Sequence, residues 1–297
     1  MPKAESMAPS HPDKVLYPDA GLTKQALADY YAAVAEPLLA HAEQRPLTLR
    51  RFPDGINADG FFQQHHRDEL PDGLPPLKAP TADGKDEIVH ITLASAAGLA
   101  ALADMAAVEI HAWLSRTPEL TKPDRVVFDL DPPDGDFEAV RDAARRVAEL
   151  MDELGLAPHL MTTGSRGLHV LAPLAPRMEF DGVRGLAKAM AERLAERHPD
   201  RLTTAQRKDK RGGRLYLDIM RNAYGQSAVL PYSPRAKPGA PVATPLDWDE
   251  LGGLEDARAY DIRRIPRRLA QKADPWAALS NRAADPADLR AALDVHA

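Results

Sequence analysis

Apolar positions along the chain fall into short blocks with two different periods. Leu27, Tyr30, Tyr31, Val34 and Leu38 recur at three- and four-residue steps behind Thr23, which predicts a capped helix. Pro37 should break or kink it, because a proline inside a helix removes a donor and clashes with the preceding turn. Between Arg45 and Gly84 short apolar runs alternate with Pro, Gly, Asp and Asn, as strands and loops do, and Ser95–Met105 reads as a short Ala/Leu helix. Ala106–Trp113 and Arg125–Asp131 are short and rich in β-branched residues, hence strands, the second stopped at Pro132-Pro133. Phe137, Val140, Ala144, Val147, Met151 and Leu154 mark one helical face closed by Gly155. HLMTT and LHVLAPL flank a GSRG turn, Phe180–Arg197 is an amphipathic helix, and Arg214–Met220 is a further strand.

Strands and helices mix without a regular βαβ rhythm. The expected fold class is therefore α+β, with mixed or antiparallel sheets and flanking helices. A loose Pro- and Ser-rich arm covers 1–13, one large domain extends over 1–270, and 271–297 is a tail with little apolar periodicity.

Composition narrows the classes. The 297 residues include no Cys, which excludes disulfide scaffolds, thiolate metal sites and Cys nucleophiles. No apolar stretch approaches the roughly 18–20 residues needed to span a bilayer, and MPKAESMAPSHPDK lacks the apolar core of a secretory signal. The chain reads as a soluble intracellular protein. Its net charge of −6 argues weakly against non-specific coating of nucleic acid, but the charge is uneven. Arg201–Arg221 holds seven cations against two acids, and RRIPRR spans Arg263–Arg268. Either is a solvated face or a phosphate contact.

The sharpest local signal is VVFDLDPP. Asp129 and Asp131 lie two apart on a strand, so both carboxylates leave the same sheet face while Leu130 points into a core. Such a pair either ends a strand at a solvated edge or shares a divalent cation, for which hard oxygens suit Mg²⁺ or Mn²⁺. Asp218 adds weight to the second. In RLYLDIM, Leu215, Leu217 and Ile219 take one face while Tyr216, Asp218 and Met220 take the other. Three carboxylates on adjacent strands would hold two divalent ions in the arrangement that serves in-line phosphoryl displacement. The turn Thr162–His169 adds hydroxyls, backbone N–H groups, a guanidinium and an imidazole, read as a hairpin or as a cradle for a triphosphate. His111, polar in an apolar strand, is a satisfied core histidine or a group facing metal or phosphate.

KVLYP (14–18), Thr23-Lys24, RPLTLRRFPDG (45–55), FFQ (61–63), EIHAW (109–113), VVFDLDP (126–132), TTGSRGLHV (162–170) and PYSPRAKPGAPV (231–242) resemble the polymerase module of bacterial end-joining ligase D. That module belongs to the archaeo-eukaryotic primase superfamily. The motifs come in family order across roughly 11–250. The resemblance implies a primase–polymerase fold and a DNA polymerase or primase-like nucleotidyltransferase. Such an enzyme would work in non-homologous end joining, adding nucleotides (often ribonucleotides) to DNA 3′ ends at gaps or breaks, with Mn²⁺ favoured. It implies nucleoside triphosphates and DNA ends or gaps with a 5′-phosphate as ligands. It further implies an end-joining ligase and an end-binding protein as partners, no membrane, and a cytoplasmic location at the nucleoid.

Carried over by position, the resemblance makes Asp129, Asp131 and Asp218 the catalytic ligands of two metal ions. His111, Thr163, Ser165, Arg166, His169, Arg235 and Arg50 would bind nucleotide, Lys14 and Lys24 the 5′-phosphate, and Phe61 and Phe62 would stack on bases. For FF core packing is the alternative, and for the lysines simple solvation. The chain departs from the family at Gln64, where Lys is frequent, at Met161, where Lys frequently precedes the turn, at Arg221 in place of Gln, and at Pro234 in place of Leu. Without a K-x-D-G ligase motif, the expectation is a stand-alone homologue or an excised module. Two rivals remain: a catalytically weakened DNA-end-binding module, and a DxD phosphatase, whose motif would carry Thr or Val where Pro133 stands.

Overall fold

Residues 8–66, 70–132 and 135–294 are described by a computed structural model. The first seven residues of the expected arm, Pro133 of the expected strand stop and the last three of the tail lie outside the described residues. The chain divides into two compact units. One comprises Met1–Trp113, Ser227–Thr244 and Tyr260–Asp274, the other Leu114–Gln226, Pro245–Ala259 and Pro275–Ala297. No described helix is long and apolar enough to cross a membrane.

In the first unit a ribbon of β1 (Val15–Tyr17) and β2 (Leu22–Thr23) leads into α1 (Lys24–Ala33), where Thr23 Oγ1 accepts the Ala26 N–H at 3.3 Å. The chain turns at Val34 and restarts as α2 (Ala35–Ala42). Pro37 thus does not interrupt a helix interior. It falls in the first turn of α2, where the backbone needs no donor. The sheet is built from β3 (Leu47–Arg51), β4 (Phe61–Gln63), β5 (Pro76–Pro80), β6 (Glu87–Ile91), β7 (Ala107–Trp113) and, late in the chain, β13 (Ser227–Val229). It is antiparallel in the order β13-β7-β3-β6-β5, with β4 added on β3. Between β6 and β7 comes α3 (Ala96–Asp104), capped by Ser95. Leu47, Leu49, Val108 and Ile110 from the sheet pack with Leu27, Tyr31 and Leu38 from the helices, and Tyr31 Oη donates to Ala107 O at 2.7 Å. The RRIPRR cluster opens α6 (Arg264–Gln271), which buries Ile265 among its arginines.

The second unit centres on β8 (Arg125–Leu130), followed by α4 (Phe137–Glu153), β9 (His159–Thr162), β10 (Leu168–Pro173), α5 (Phe180–Arg197), β11 (Leu202–Thr203) and β12 (Leu215–Asp218). β14 (Thr244–Leu246) completes the order β11-β12-β8-β10-β9-β14. β11 and β12 are parallel, and the pairs β12–β8, β8–β10 and β10–β9 antiparallel. The α+β class with mixed and antiparallel sheets is what the sequence predicts. The face of α4 carrying Val140, Ala144, Val147 and Met151 is buried, and Gly155 closes it at φ +73°, a conformation that favours glycine.

Two strands stop early. β8 ends at Leu130, leaving Asp131 past its end, and β12 ends at Asp218, with a 3-10 turn over Met220–Asn222. The second stop has a visible cause. The fully buried Asn222 side chain accepts the Val127 N–H at 2.9 Å and donates to Val127 O at 2.7 Å, pairing the backbone of β8 where β12 has turned away. Met220 therefore does not extend the face shared by Tyr216 and Asp218. The stretch read as a tail is anchored: Trp276, Leu279, Leu289 and Leu293 are buried, Trp276 Nε1 donates to Leu160 O at 3.2 Å, and α7 (Pro286–Ala292) is capped by Asp285.

Candidate functional site

Asp129 occupies the middle of three adjacent strands. Across one ladder it faces Asp218, across the other His169. Burial would raise its pKa, but the His169 imidazole at 3.4 Å and the Arg221 guanidinium at 3.2 Å outweigh that and hold it well below the usual carboxylate range. Asp218 shows the opposite shift. Burial and the charge of Asp129 raise its pKa against the Met220 N–H, which its Oδ1 accepts at 2.8 Å. Asp131 is exposed and accepts from Arg166 at 2.9 Å. The structure brings Asp129, Asp218, His169 and Arg221 together, and ties Asp131 to the GSRG turn.

That turn is built around Thr163. Its hydroxyl donates to Gly167 O at 2.9 Å and accepts the N–H groups of Ser165 and Gly167, each at 3.3 Å. A Cβ on Gly167 would stand 1.9 Å from Leu130 O and 2.7 Å from Asp131 Oδ1, so the turn closes against the end of β8 only because residue 167 is glycine. Thr163 thus shapes the loop, while Ser165 and Arg166 are its partly exposed groups.

In the first unit the predicted nucleotide residues Arg50, His111 and Arg235 meet on an acid that the sequence reading passed over. Glu109, 2% exposed, receives His111 Nε2 at 3.0 Å, Arg235 Nε at 3.4 Å, Arg50 Nη1 at 3.5 Å and the Ala236 N–H at 3.0 Å. Burial opposes its charge, yet His111 and Arg235 lower its pKa to about 2. The signal lay in the E-x-H spacing, which puts Glu109 and His111 on one face of β7. Arg50 is opposite Glu109 in the β3–β7 ladder and opposite Phe62 in the β3–β4 ladder, with its guanidinium 4.8 Å from the Phe52 ring and 5.6 Å from the Phe62 ring.

Phe61 and Phe62 are 46% and 64% exposed, which excludes core packing for either. They border a cavity of about 450 Å³ lined also by Arg51, Gln63, Gln64 and His65. The two lysines differ. Lys14 is exposed and pairs with Asp54 at 3.0 Å. Lys24 is buried, its ammonium bonded to Asp104 at 2.8 Å and to Ser10 O and Oγ at 2.8 and 2.9 Å.

Among the described residues, acidic groups converge closely enough to hold an ion at Asp247, Asp249 and Glu250, within 4.8 Å. Asp247 and Glu250 form the capping box of the 3-10 helix Trp248–Gly253, which accounts for their proximity. Asp129 pairs instead with His169 and Arg221, Asp131 with Arg166, and Asp218 with the Met220 N–H. Their chemistry still fits a divalent cation: hard oxygens, two of the carboxylates facing each other in the sheet, with the ionised form of Asp218 disfavoured by burial and by the charge of Asp129.

Residues 23–276, drawn from both units, match the family described as LigD, primase-polymerase domain. The chain is 36% identical over 272 residues to the multifunctional non-homologous end joining protein LigD of Pseudomonas aeruginosa, covering 90% of this chain and 32% of that protein. It is 36% identical over 273 residues to the corresponding LigD of Mycobacterium tuberculosis, covering 88% of this chain and 35% of that protein. The chain thus spans about a third of the length of these curated relatives. A solved polymerase domain from Mycobacterium tuberculosis ligase D in complex with DNA superimposes with a TM-score of 0.85 at 32% identity, over 93% of this chain and 98% of that one.

Proposed function

This chain belongs to the LigD primase-polymerase domain family, and from that premise we propose that it is a metal-dependent nucleotidyltransferase adding nucleotides, ribonucleotides included, to DNA 3′ ends at gaps or breaks. The observation that carries the reading is the register of Asp129 against Asp218, two carboxylates facing each other beside His169 in the second unit's sheet.

Asp129, Asp131 and Asp218 would hold two divalent ions, Mn²⁺ or Mg²⁺, which when bound supply charge neutralisation for an in-line phosphoryl displacement. His169 keeps Asp129 ionised and oriented. Arg166 and Ser165 offer donors to phosphate oxygens from the turn that Thr163 shapes. In the first unit Arg50, His111 and Arg235 bind the triphosphate as a cluster gathered on Glu109. Phe61 and Phe62 stack on bases, which tolerates any sequence because every base has a π-face. Lys14 binds the 5′-phosphate at the far side of a gap, and Lys24 holds the Ser10 segment next to it. DNA ends, nucleoside triphosphates, an end-joining ligase and an end-binding protein are the partners, in the cytoplasm at the nucleoid.

The test is a gapped duplex with a 5′-phosphate, nucleoside triphosphates and Mn²⁺. Extension of the primer by added nucleotides supports the reading. Binding without extension would identify an end-binding module, and release of inorganic phosphate without extension a phosphatase.

A further inference from the structure

Arg221 stands inside the acidic site of the second unit although it is no metal ligand. Its Nε lies 3.2 Å from Asp129 Oδ2, at the ladder position where Asp129 faces Asp218. The carboxylate it holds faces that of Asp218 in the sheet, so without a cation beside them the two repel. Its own anchorage is firm at the backbone, because buried Asn222 fixes the adjoining turn to Val127, but its side chain is 42% exposed. A long side chain that is tethered at its base and partly exposed can change its rotamer while the backbone stays in place.

We propose that the Arg221 guanidinium is a resident counter-ion for Asp129, which a divalent metal must displace, so that residue 221 sets the metal concentration at which the site loads. This rests on the metal reading of Asp129 and Asp218. A divalent ion replaces the guanidinium because it carries twice the charge in a smaller volume and takes carboxylate oxygens directly. The guanidinium then swings outward, toward the anionic groups of a bound substrate. Half-exposed ion pairs are weak and a retained positive charge opposes a divalent one, so the penalty on metal binding is about fivefold.

The experiment measures Mn²⁺ binding to nucleotide-free protein by the EPR signal of free Mn²⁺, for wild type, Arg221→Gln, Arg221→Lys and Asp218→Asn. Arg221→Gln should bind Mn²⁺ about fivefold more tightly than wild type, since only the opposing charge is gone. Arg221→Lys should fall between them. Without metal, Arg221→Gln should melt below wild type, and saturating Mn²⁺ should raise its melting temperature by more than it raises that of wild type. Asp218→Asn should bind weakly. If Asp218→Asn lowers Mn²⁺ affinity while Arg221→Gln leaves it unchanged or weaker, the counter-ion role is wrong and the metal site stands. If Asp218→Asn binds Mn²⁺ as wild type does, the metal reading itself fails and this inference fails with it.

Discussion

Asp129 and Asp218 lie opposite each other on neighbouring strands, yet the fold holds their protons unequally, lowering the pKa of the first and raising that of the second. Asp129 has His169 and Arg221 in direct contact, while for Asp218 burial and the charge of Asp129 outweigh the Met220 N–H and the more distant Arg221 and Arg211. An acid whose pKa is raised in the folded state destabilises the fold wherever it is ionised, and the penalty disappears at low pH as it is protonated. Asp218→Asn should therefore raise the melting temperature of the metal-free protein at neutral pH, by about 2 °C, and the gain should shrink as the pH is lowered. Thermal melts in a metal chelator at neutral and acidic pH measure it.

Glu109 gives the opposite dependence. Its pKa is depressed to about 2, so the stability it contributes is complete above its ordinary value of 4.5 and is lost as the pH falls from there toward 2. Glu109→Gln leaves Arg50, His111 and Arg235 without their shared counter-ion, which should cost about 3–5 kcal/mol at pH 7. Urea unfolding of wild type and variant should show the difference narrowing between pH 4.5 and pH 2.

The two lysines should separate. Lys24→Ala removes the ammonium that joins Asp104 to the Ser10 carbonyl and hydroxyl, leaving Asp104 with its bonds from Ser10, and should lower stability by about 1–3 kcal/mol. Lys14→Ala, losing only a surface pair with Asp54, should leave stability within about 0.5 kcal/mol. On gapped DNA, Lys14→Ala should abolish the preference for a 5′-phosphate over a 5′-hydroxyl. Comparing unfolding curves with binding to the two DNAs checks both halves.

Gly167→Ala should reduce activity out of proportion to its size. The added methyl would meet the Leu130 carbonyl and the Asp131 carboxylate, so the turn or the end of β8 must move. Nucleotide addition should fall by about 100-fold, as a displacement of about 1 Å at a reacting centre does, while far-UV circular dichroism should stay unchanged.

Where a segment's surroundings are its own neighbours in sequence, the pattern disclosed the fold. Thr23, Ser95 and Gly155 ended helices as their chemistry predicts, and α5 covers the residues its periodicity marks. The acids of β8 and β12 were legible because alternation fixes which side chains share a face. Long-range partners were not. Arg221 meets Asp129 across 92 residues and Trp276 meets Leu160 across 116, and neither leaves a trace in local spacing. The early end of β12 was hidden for the same reason, since a side-chain amide, not a strand, pairs with Val127. Glu109 escaped because a buried acid looks alien in an apolar strand until its partners Arg50, His111 and Arg235 are seen.

The central claim is that the facing carboxylates serve nucleotidyl transfer, and single-turnover incorporation at saturating Mn²⁺ tests it most directly. Asp129→Asn and Asp218→Asn keep the size and fold of the site but give up a ligand charge that contributes several kcal/mol to the transition state. Each should slow incorporation on the order of a thousandfold relative to wild type while binding of the gapped DNA is retained. Incorporation within about tenfold of wild type by either variant would contradict the account.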